Sequence, residues 1–497
     1  MTPSGSPDAY TTDVVYPSAF GAFQSPIHLV HAAWLGGAGG PSLTAPFTYV
    51  DLGCGAGLTA CVLADCYPAA RIHGVDLNPD HIRLGRELAA RAGLSNVTFH
   101  HVGFADLDRL PAFDVDFVGL SGVYSWLSPP LRAACLDFAA RRLTPQGLVF
   151  LHYGALPGNA QIDALYALIR EAARGLDGDS VARFRTAAAA VRAVKAAGGR
   201  FFSANPQAAA WLDQLDREDP AAMAHEVLNA QRASLSARDA ADEAERAGLR
   251  FVANAQIELN DLDLTAPDAL RADLSAREPV TREMLMDAVR DPHSRMDVLQ
   301  RTDGRAAMEP PGIWVDRLTR GDLSEARRKL GERARVDLMS PVYTGVLRRL
   351  EGRAAPLAEF CDTRENTLAV QRLAALKLVH FLREPYRPGS GSAPRMASAL
   401  NAEVLAGRIE SPGPVPFASP VAGTQVLLPP QDRLALLALL EGDFDAAWRR
   451  VQAAGQVIRS GGGAIGDATG LRRAAESRAQ AMGHAMISQL SRLGVLA

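Results

Sequence analysis

Between about residues 46 and 154 the apolar positions fall into short unbroken runs set between stretches of helical period. Tyr49-Val50 leads into Asp51-Leu52-Gly53-Cys54-Gly55-Ala56-Gly57-Leu58, and three further runs follow: Ile72 to Leu77, Val115 to Ser121 and Gly147 to Tyr153. Runs of this kind, bounded by glycines and acids, predict strands buried on both faces. Leu58 to Cys66 and Asp80 to Ala92 predict the intervening helices, the second opening after Asn78-Pro79 and closing at Gly93. Strand and helix in alternation predict an α/β fold built on a doubly wound parallel sheet. Ligands of such sheets sit at the carboxyl ends of the strands.

Past Tyr153 the pattern turns to alanine-rich helix. Val181 to Ala197 stops at Gly198-Gly199, while Asn205-Pro206 and Asp219-Pro220 each set a capping side chain before a helix-opening proline. Ser236 to Arg246 predicts a capped helix, and Leu249 to Ile257 a strand that completes the first sheet. The helices between about Pro157 and Glu218 then form an insertion placed where a lid over the strand ends would lie. Thr281 to Gln300 predicts an amphipathic helix interrupted at Asp291-Pro292, and Asp322 to Arg335 a charged, solvated one. Thr344 to Ala354, Thr363 to Arg383 and Ala393 to Ala406 predict three shorter helices compatible with a winged-helix-like module. After the linker Ser411 to Pro416, a last helical unit is expected over Gln431 to Leu496. The expected domains are an N-terminal aromatic segment (1–45), an α/β core (46–260) with its insertion (157–218), a helical regulatory or substrate domain (261–416) and a C-terminal helical domain (417–497).

Composition narrows the function classes. At 497 residues the chain is too long for one core. A formal net charge of −3 offers no broad basic field, which argues against nucleic acid as substrate. No apolar tract is long enough for a membrane helix and the N-terminus has no signal-peptide pattern, so a cytoplasmic address is expected. The five cysteines make neither a CxxC pair nor a disulfide framework. His28 and His31 lie one helical turn apart without a third ligand, so no metal is expected.

The chemistry concentrates at the first run. Gly53, Gly55 and Gly57 let a ligand approach the backbone beside a helix N-terminus that presents free N–H groups. The acid Asp51 ahead of them would repel a pyrophosphate and suits a cationic amine. Asp76 ends the second run at the spacing at which an acid binds ribose hydroxyls, although a helix-cap role alongside Asn78 is the alternative. Adenosine with an amino-acid tail and no phosphate fits this set. The segment Val50-Asp51-Leu52-Gly53-Cys54-Gly55-Ala56-Gly57 resembles motif I of the class I S-adenosylmethionine-dependent methyltransferases. A finer resemblance rests on Leu120-Ser121-Gly122-Val123-Tyr124-Ser125-Trp126-Leu127-Ser128, supported by Tyr16-Pro17, Ser25-Pro26, Tyr153 with Leu156-Pro157-Gly158, His225-Glu226-Val227-Leu228-Asn229, Arg282-Glu283 with Met286-Asp287, and Ala418 to Thr424. It is similar to bacterial methyltransferases with an attached methyltransferase regulatory domain, a group that includes lysine methyltransferases of outer-membrane proteins. Ser121 and Gly154 depart from that pattern, which more often carries histidine and asparagine there.

The resemblance implies a Rossmann-like methyltransferase sheet followed by mainly helical C-terminal domains, with S-adenosyl-L-methionine as cofactor. Asp51, Gly53, Cys54, Gly55 and Gly57 would face its methionine part, Asp76 with Leu77 its ribose, Ala105 and Asp106 its adenine, and Leu120 and Ser121 its sulfonium. Tyr124 and Tyr16 are expected to orient the acceptor by hydrogen bonds, with Trp126 and Tyr153 as apolar walls. A structural role for Trp126 beneath its own loop is the alternative. The aromatic residues from Tyr10 to Trp34 either fold over the cofactor or cover one face of the sheet. The leading functional expectation is N-methylation of a lysine-type amine on a protein or peptide partner. The alternatives are a small-molecule acceptor in a biosynthetic pathway, with the distal modules giving a homodimer, and a regulatory protein that binds the cofactor without turnover.

Overall fold

The computed structural model describes Asp13, Tyr16 and residues from Phe20 onward, apart from 308, 319–337, 339, 387–393, 408–413 and part of 444–485. The charged helix expected at Asp322 to Arg335 lies outside the described residues, as does Tyr10. Seven strands form the central sheet: β1 (Thr48–Leu52), β2 (Arg71–Asp76), β3 (Val97–His101), β4 (Val115–Leu120), β5 (Leu143–Gly154), β6 (Leu249–Asn254) and β7 (Ser294–Arg301). Their order is β3-β2-β1-β4-β5-β7-β6. The first five pair in parallel, and β7 runs antiparallel between β5 and β6. Every residue of β1 is buried, as an unbroken apolar run in the middle of a parallel sheet requires.

β7 corrects the sequence expectation. The helix expected from Thr281 to Gln300 ends at Arg290, where Asp291 takes a left-handed conformation (φ 51°) ahead of Pro292, and the chain continues as a strand. Its polar residues are satisfied at long range: Arg295 is buried with its guanidinium on Asp287 (2.7 Å), Asp297 (2.9 Å) and Glu283 (3.1 Å). The sheet of the core therefore continues to Arg301, past the boundary expected at 260.

Four helices cover the sheet near the site: α1 (Pro26–Leu35), α2 (Leu58–Cys66), α3 (Pro79–Arg91) and α4 (Pro129–Arg142). Between β5 and β6 the chain folds the helices α5 (Ala160–Ala172), α6 (Ser180–Ala196), α7 (Arg200–Ala204), α8 (Pro206–Gln214), α9 (Pro220–Leu228) and α10 (Ala237–Arg246). All but α10 share a small core of their own that includes Leu165, Phe184, Val191, Leu212 and Val227, so the insertion is a separately packed body. It reaches α9, ten residues beyond the expected limit of 218.

The C-terminal half mixes helix with small sheets. Thr363 to Arg383, expected as one helix, divides into a helix at Arg364–Ala375 and a strand at Val379–Leu382, with Lys377 left-handed (φ 57°) at the break. That strand joins Trp314–Arg317 and Ala355–Pro356 in a three-stranded antiparallel sheet beside the helix Pro341–Arg349. The expected linker leads into a hairpin of Val415–Ser419 and Thr424–Leu428 rather than directly into helix. The hairpin packs on the end of α2, where Tyr67 Oη donates to the Gly423 carbonyl (2.7 Å) and Cys66 Sγ faces the Thr424 carbonyl (3.3 Å). This second cover explains why α2 is apolar on all its faces, with every residue but Asp65 buried. Among the described residues no helix is long and apolar enough to cross a membrane.

Candidate functional site

The turn after β1 places its ligand groups by backbone geometry. Gly53 and Gly57 both take φ near +80°, a region that side chains disfavour. A Cβ at Gly53 would lie 2.4 Å from Val123 Cγ1, and one at Gly57 2.5 Å from the Phe99 ring. Gly53 N–H and Cys54 N–H both donate to the Val75 carbonyl, which stitches the turn to β2. The turn thus opens a cavity of about 280 Å³ at the carboxyl ends of β1, β2 and β4, where the strand order reverses.

Two acids face this cavity from adjacent strands. Burial, and then the neighbouring Asp76, push the Asp51 carboxyl up to about 7. Asp76 accepts from Gly55 N–H through one oxygen (2.9 Å) and from Asn78 N–H through the other (2.8 Å), and His81 Nδ1 lies 3.2 Å from that second oxygen. The lining therefore combines glycines that admit a ligand, the start of α2 and two carboxylates, with no lysine or arginine among its described residues. Such a set suits a cationic amino-acid tail joined to a ribose and does not suit a phosphate.

A second cavity of about 590 Å³ lies beyond the first and shares Gly122, Trp126 and His152 with it. Its roof comes from the insertion: Tyr166 on α5, Trp211 on α8, and Met223 and Glu226 on α9. Burial raises the Glu226 carboxyl while Arg232 opposes the shift. The Arg232 guanidinium stands over the Tyr166 ring (4.6 Å), 3.2 Å from Asp163 and 3.8 Å from Glu226. Burial takes His152 down to about 4, so the ring at the junction is neutral near pH 7. Gly154 lacks a side chain next to the Asn159 amide, which comes within 2.9 Å of where a Cβ would be and donates to the His293 carbonyl. Asn159 occupies the space that an asparagine at 154 would fill.

The expected residues distribute unevenly. Asp51, Gly53, Cys54, Gly55, Asp76 and Ser121 line the first cavity together with Tyr16. Trp126 lines both cavities and Tyr153 the second, its hydroxyl donating to Asp297 (2.7 Å). Gly57 does not line the cavity but lets α2 approach Phe99. Leu77, Ala105 and Asp106 are exposed outside the enclosed space, and Leu120 is buried in the core below it. Tyr124 is the clearest correction: it is fully buried and reaches neither cavity. Its hydroxyl donates to Glu243 Oε2 (2.5 Å), and Arg132 holds the other oxygen of that carboxylate (2.7 Å), so the tyrosine ties its turn to α10. Tyr16 is also displaced, into the wall of the first cavity, where burial and then Glu226 push its phenol up to about 12.

Several lining residues escaped the sequence reading. His81 sits in the first turn of α3 and reaches back five positions to Asp76. Gln24, of the N-terminal aromatic segment, lines the first cavity and accepts the Tyr49 hydroxyl at its carbonyl (3.1 Å). Glu226 enters the sequence reading only as part of the resemblance and with no role, although it is the one acid of the helix Pro-Ala-Ala-Met-Ala-His-Glu-Val-Leu. His293 and Asn159 carried no signal.

Comparison with known proteins agrees with this geometry. The chain matches a methyltransferase domain over residues 50–147 and a predicted methyltransferase regulatory domain over residues 219–301. The uncharacterised protein sll1526 of Synechocystis is 30% identical over 61% of this chain and 60% of its own length. Trans-aconitate 2-methyltransferase of Methylobacterium nodulans is 38% identical over 21% of this chain and 37% of its own length. The chain thus spans less than two thirds of the length of these relatives. Among solved structures, PKMT2 from Rickettsia typhi in complex with AdoHcy superposes with a TM-score of 0.65 and 16% identity, covering 97% of this chain and 99% of that one. The two share the fold over nearly their whole lengths.

Proposed function

We propose that this chain, an S-adenosylmethionine-dependent methyltransferase of class I with a methyltransferase regulatory domain, methylates the nitrogen of a lysine-type amine on a protein or peptide. The observation that carries this reading is Glu226, a half-buried carboxylate that lines, with Trp211 and Tyr166, a cavity that opens through Trp126 and His152 onto the cofactor side. The Tyr166 face is taken by Arg232, which leaves the Trp126 and Trp211 rings and the Glu226 carboxylate to attract a cation, and an acid with a raised pKa can take the proton that an ammonium must lose before its nitrogen has a lone pair. The bound cofactor supplies an electrophilic methyl group. The chain's own residues align the acceptor, exclude water and take the proton. Asp51 holds the cofactor's ammonium, Asp76 its ribose, and the turn from Gly53 to Gly57 lies against its methionine part. Leu77, Ala105 and Asp106 border the adenine on the exposed side. A cytoplasmic address belongs to this proposal, as do the protein acceptor and the winged-helix-like reading of the module around residues 341–382.

The shared fold of PKMT2 from Rickettsia typhi, a protein solved with AdoHcy bound, supports the reading in kind. A small-molecule acceptor is the second reading, because about 590 Å³ falls within the range of pockets for small ligands. Intact-mass spectrometry after incubation of the full chain with cofactor and candidate proteins tests the first. Methylated lysine mapped by fragmentation supports it. Turnover on small amines alone, with no labelled protein, transfers the assignment to the second.

Asp51 sets a pH dependence for cofactor binding. Its carboxyl, held near 7, must be ionised to face an ammonium, so affinity should fall up to tenfold per unit as pH drops below about 7 and level off above it. Calorimetry between about pH 5.5 and about pH 8.5 measures this. Asp51→Asn should bind weakly with a flat profile, and an unchanged slope in that variant removes Asp51 from the site.

A further inference from the structure

Gly122, Trp126 and His152 line both cavities. A methyl group that passes from the cofactor side to an acceptor crosses beside them. Gly122 carries no side chain, and Trp126 offers an apolar face and an N–H donor but nothing that accepts a hydrogen bond. Among the described residues His152 is therefore the one side-chain acceptor that borders both spaces. The sheet sets its place: His152 is the first residue of β5 beyond the last pairing with β4, Leu151 to Leu120, and stands opposite Met296 of β7. Alternation along β5 packs Leu151 and Tyr153 on one face and leaves His152 on the other with Phe150, their ring centroids 6.3 Å apart.

The His152 imidazole makes no hydrogen bond to a described residue, whereas its polar neighbours are engaged: Tyr153 donates to Asp297 and the Asn159 amide to the His293 carbonyl. The side chain is half-buried, and its nitrogens are not sealed in the core as the Trp126 indole nitrogen is. No charged neighbour acts on the ring, and burial alone keeps it neutral near pH 7. A neutral imidazole carries one N–H and one lone pair. That lone pair is met by whatever enters the junction.

We propose that His152 holds the acceptor nitrogen at the crossing point: its lone pair takes one N–H of the neutral amine and so turns the nitrogen's own lone pair toward the methyl group. This rests on the reading that the acceptor is an amine. In-line displacement requires that orientation. A carboxylate at the junction would hold the ammonium and oppose loss of its proton, whereas a ring that stays neutral favours the amine. The two groups thus have separate tasks. Glu226 draws in the cation and takes its proton, and His152 presents the nitrogen. His152 neither gains nor loses a proton in this role; the nitrogen lone pair makes the new N–C bond while the C–S pair returns to sulfur.

Sinefungin tests this without an identified acceptor. It carries an amine-bearing carbon where S-adenosylmethionine has its methyl-bearing sulfur, so its ammonium would project toward the junction. The readout is its Kd relative to that of S-adenosylhomocysteine, which lacks the group, measured by calorimetry on the full-length chain. Wild type should prefer sinefungin. His152→Leu should lower that preference about tenfold, the scale of one hydrogen bond to a charged group, with the Kd for S-adenosylhomocysteine moved by less than about threefold. The carbonyl of His152→Asn falls near the Nδ1 position and that of His152→Gln near Nε2, so one of the two should recover most of the preference and tell which nitrogen accepts. Should His152→Leu not fold, a difference in preference between the two amide variants supports the same contact, and equal losses overturn it. A preference unchanged in His152→Leu, or lowered equally in all three variants, overturns the proposal. So does a loss of S-adenosylhomocysteine affinity that matches the loss for sinefungin, since that reports packing alone. The amine reading fails separately: a methyl group mapped to oxygen in the product removes it and the role of His152 with it, whereas methyllysine with an unchanged preference overturns His152 alone.

Discussion

Glu226→Gln is expected to lower kcat/KM for an amine acceptor by about 100-fold or more while leaving cofactor affinity within about twofold, the lower end of what a positioned proton acceptor contributes. Glutamine keeps the size and most hydrogen-bonding capacity of the side chain. It can neither take a proton nor balance a cation. Arg232 keeps its contact with Asp163 in the variant, so the cavity does not gain an unpaired guanidinium. The loss should be largest where the acceptor enters protonated and shrink as pH rises toward the acceptor's own pKa, because solvent then supplies the neutral amine. Steady-state rates across pH, with cofactor Kd from calorimetry as the control, measure this. An unaltered kcat/KM across that range would exclude Glu226 as the proton acceptor and with it the main support for an amine.

Asp76→Ala should raise the Kd for S-adenosylhomocysteine by about 100-fold or more. Each hydrogen bond from a ribose hydroxyl to a carboxylate contributes about 1.5–3 kcal/mol, and about 1.4 kcal/mol is tenfold in Kd. The alanine removes more than ligand contacts, because Gly55 N–H and Asn78 N–H lose their acceptor. A thermal melt of the variant separates the two effects: a lowered melting temperature reports the turn, and the excess loss of affinity in a variant that still folds reports the ribose. Calorimetry that finds wild-type affinity would remove Asp76 from the cofactor site.

How much of this was legible follows from distance along the chain. The cradle of Asp51, the glycines and Asp76 spans two strands and one turn, and each of its residues answers a local need: a buried strand, a positive φ, a helix start. Local needs are written locally. The acceptor cavity is not, because Trp126, Tyr166, Trp211, Glu226 and His293 come from five elements that only the insertion brings together. Tyr124 misled for a related reason. An aromatic residue within a motif suggests a site, yet its partner Glu243 lies 119 residues further along. β7 was hidden by its own charges: Arg295 and Asp297 look solvated until Glu283 and Asp287 are seen to meet Arg295 in the core, and Arg295 and Tyr153 to meet Asp297. The acid spacing and glycine pattern identify the donor, while the choice of acceptor is encoded in contacts that have no local signature.

The hairpin of Val415–Ser419 and Thr424–Leu428 also bears on how the chain can be divided. It closes the outer face of α2, the helix that begins at the glycine turn, and Arg91 at the end of α3 adds an ion pair to Glu403 (2.8 Å). Trimming the protein to its methyltransferase and regulatory segments would strip that cover and leave α2 with an oily face in water. The distal half thus keeps covered the helix that starts at the glycine turn, and changes in the hairpin would reach that turn through α2.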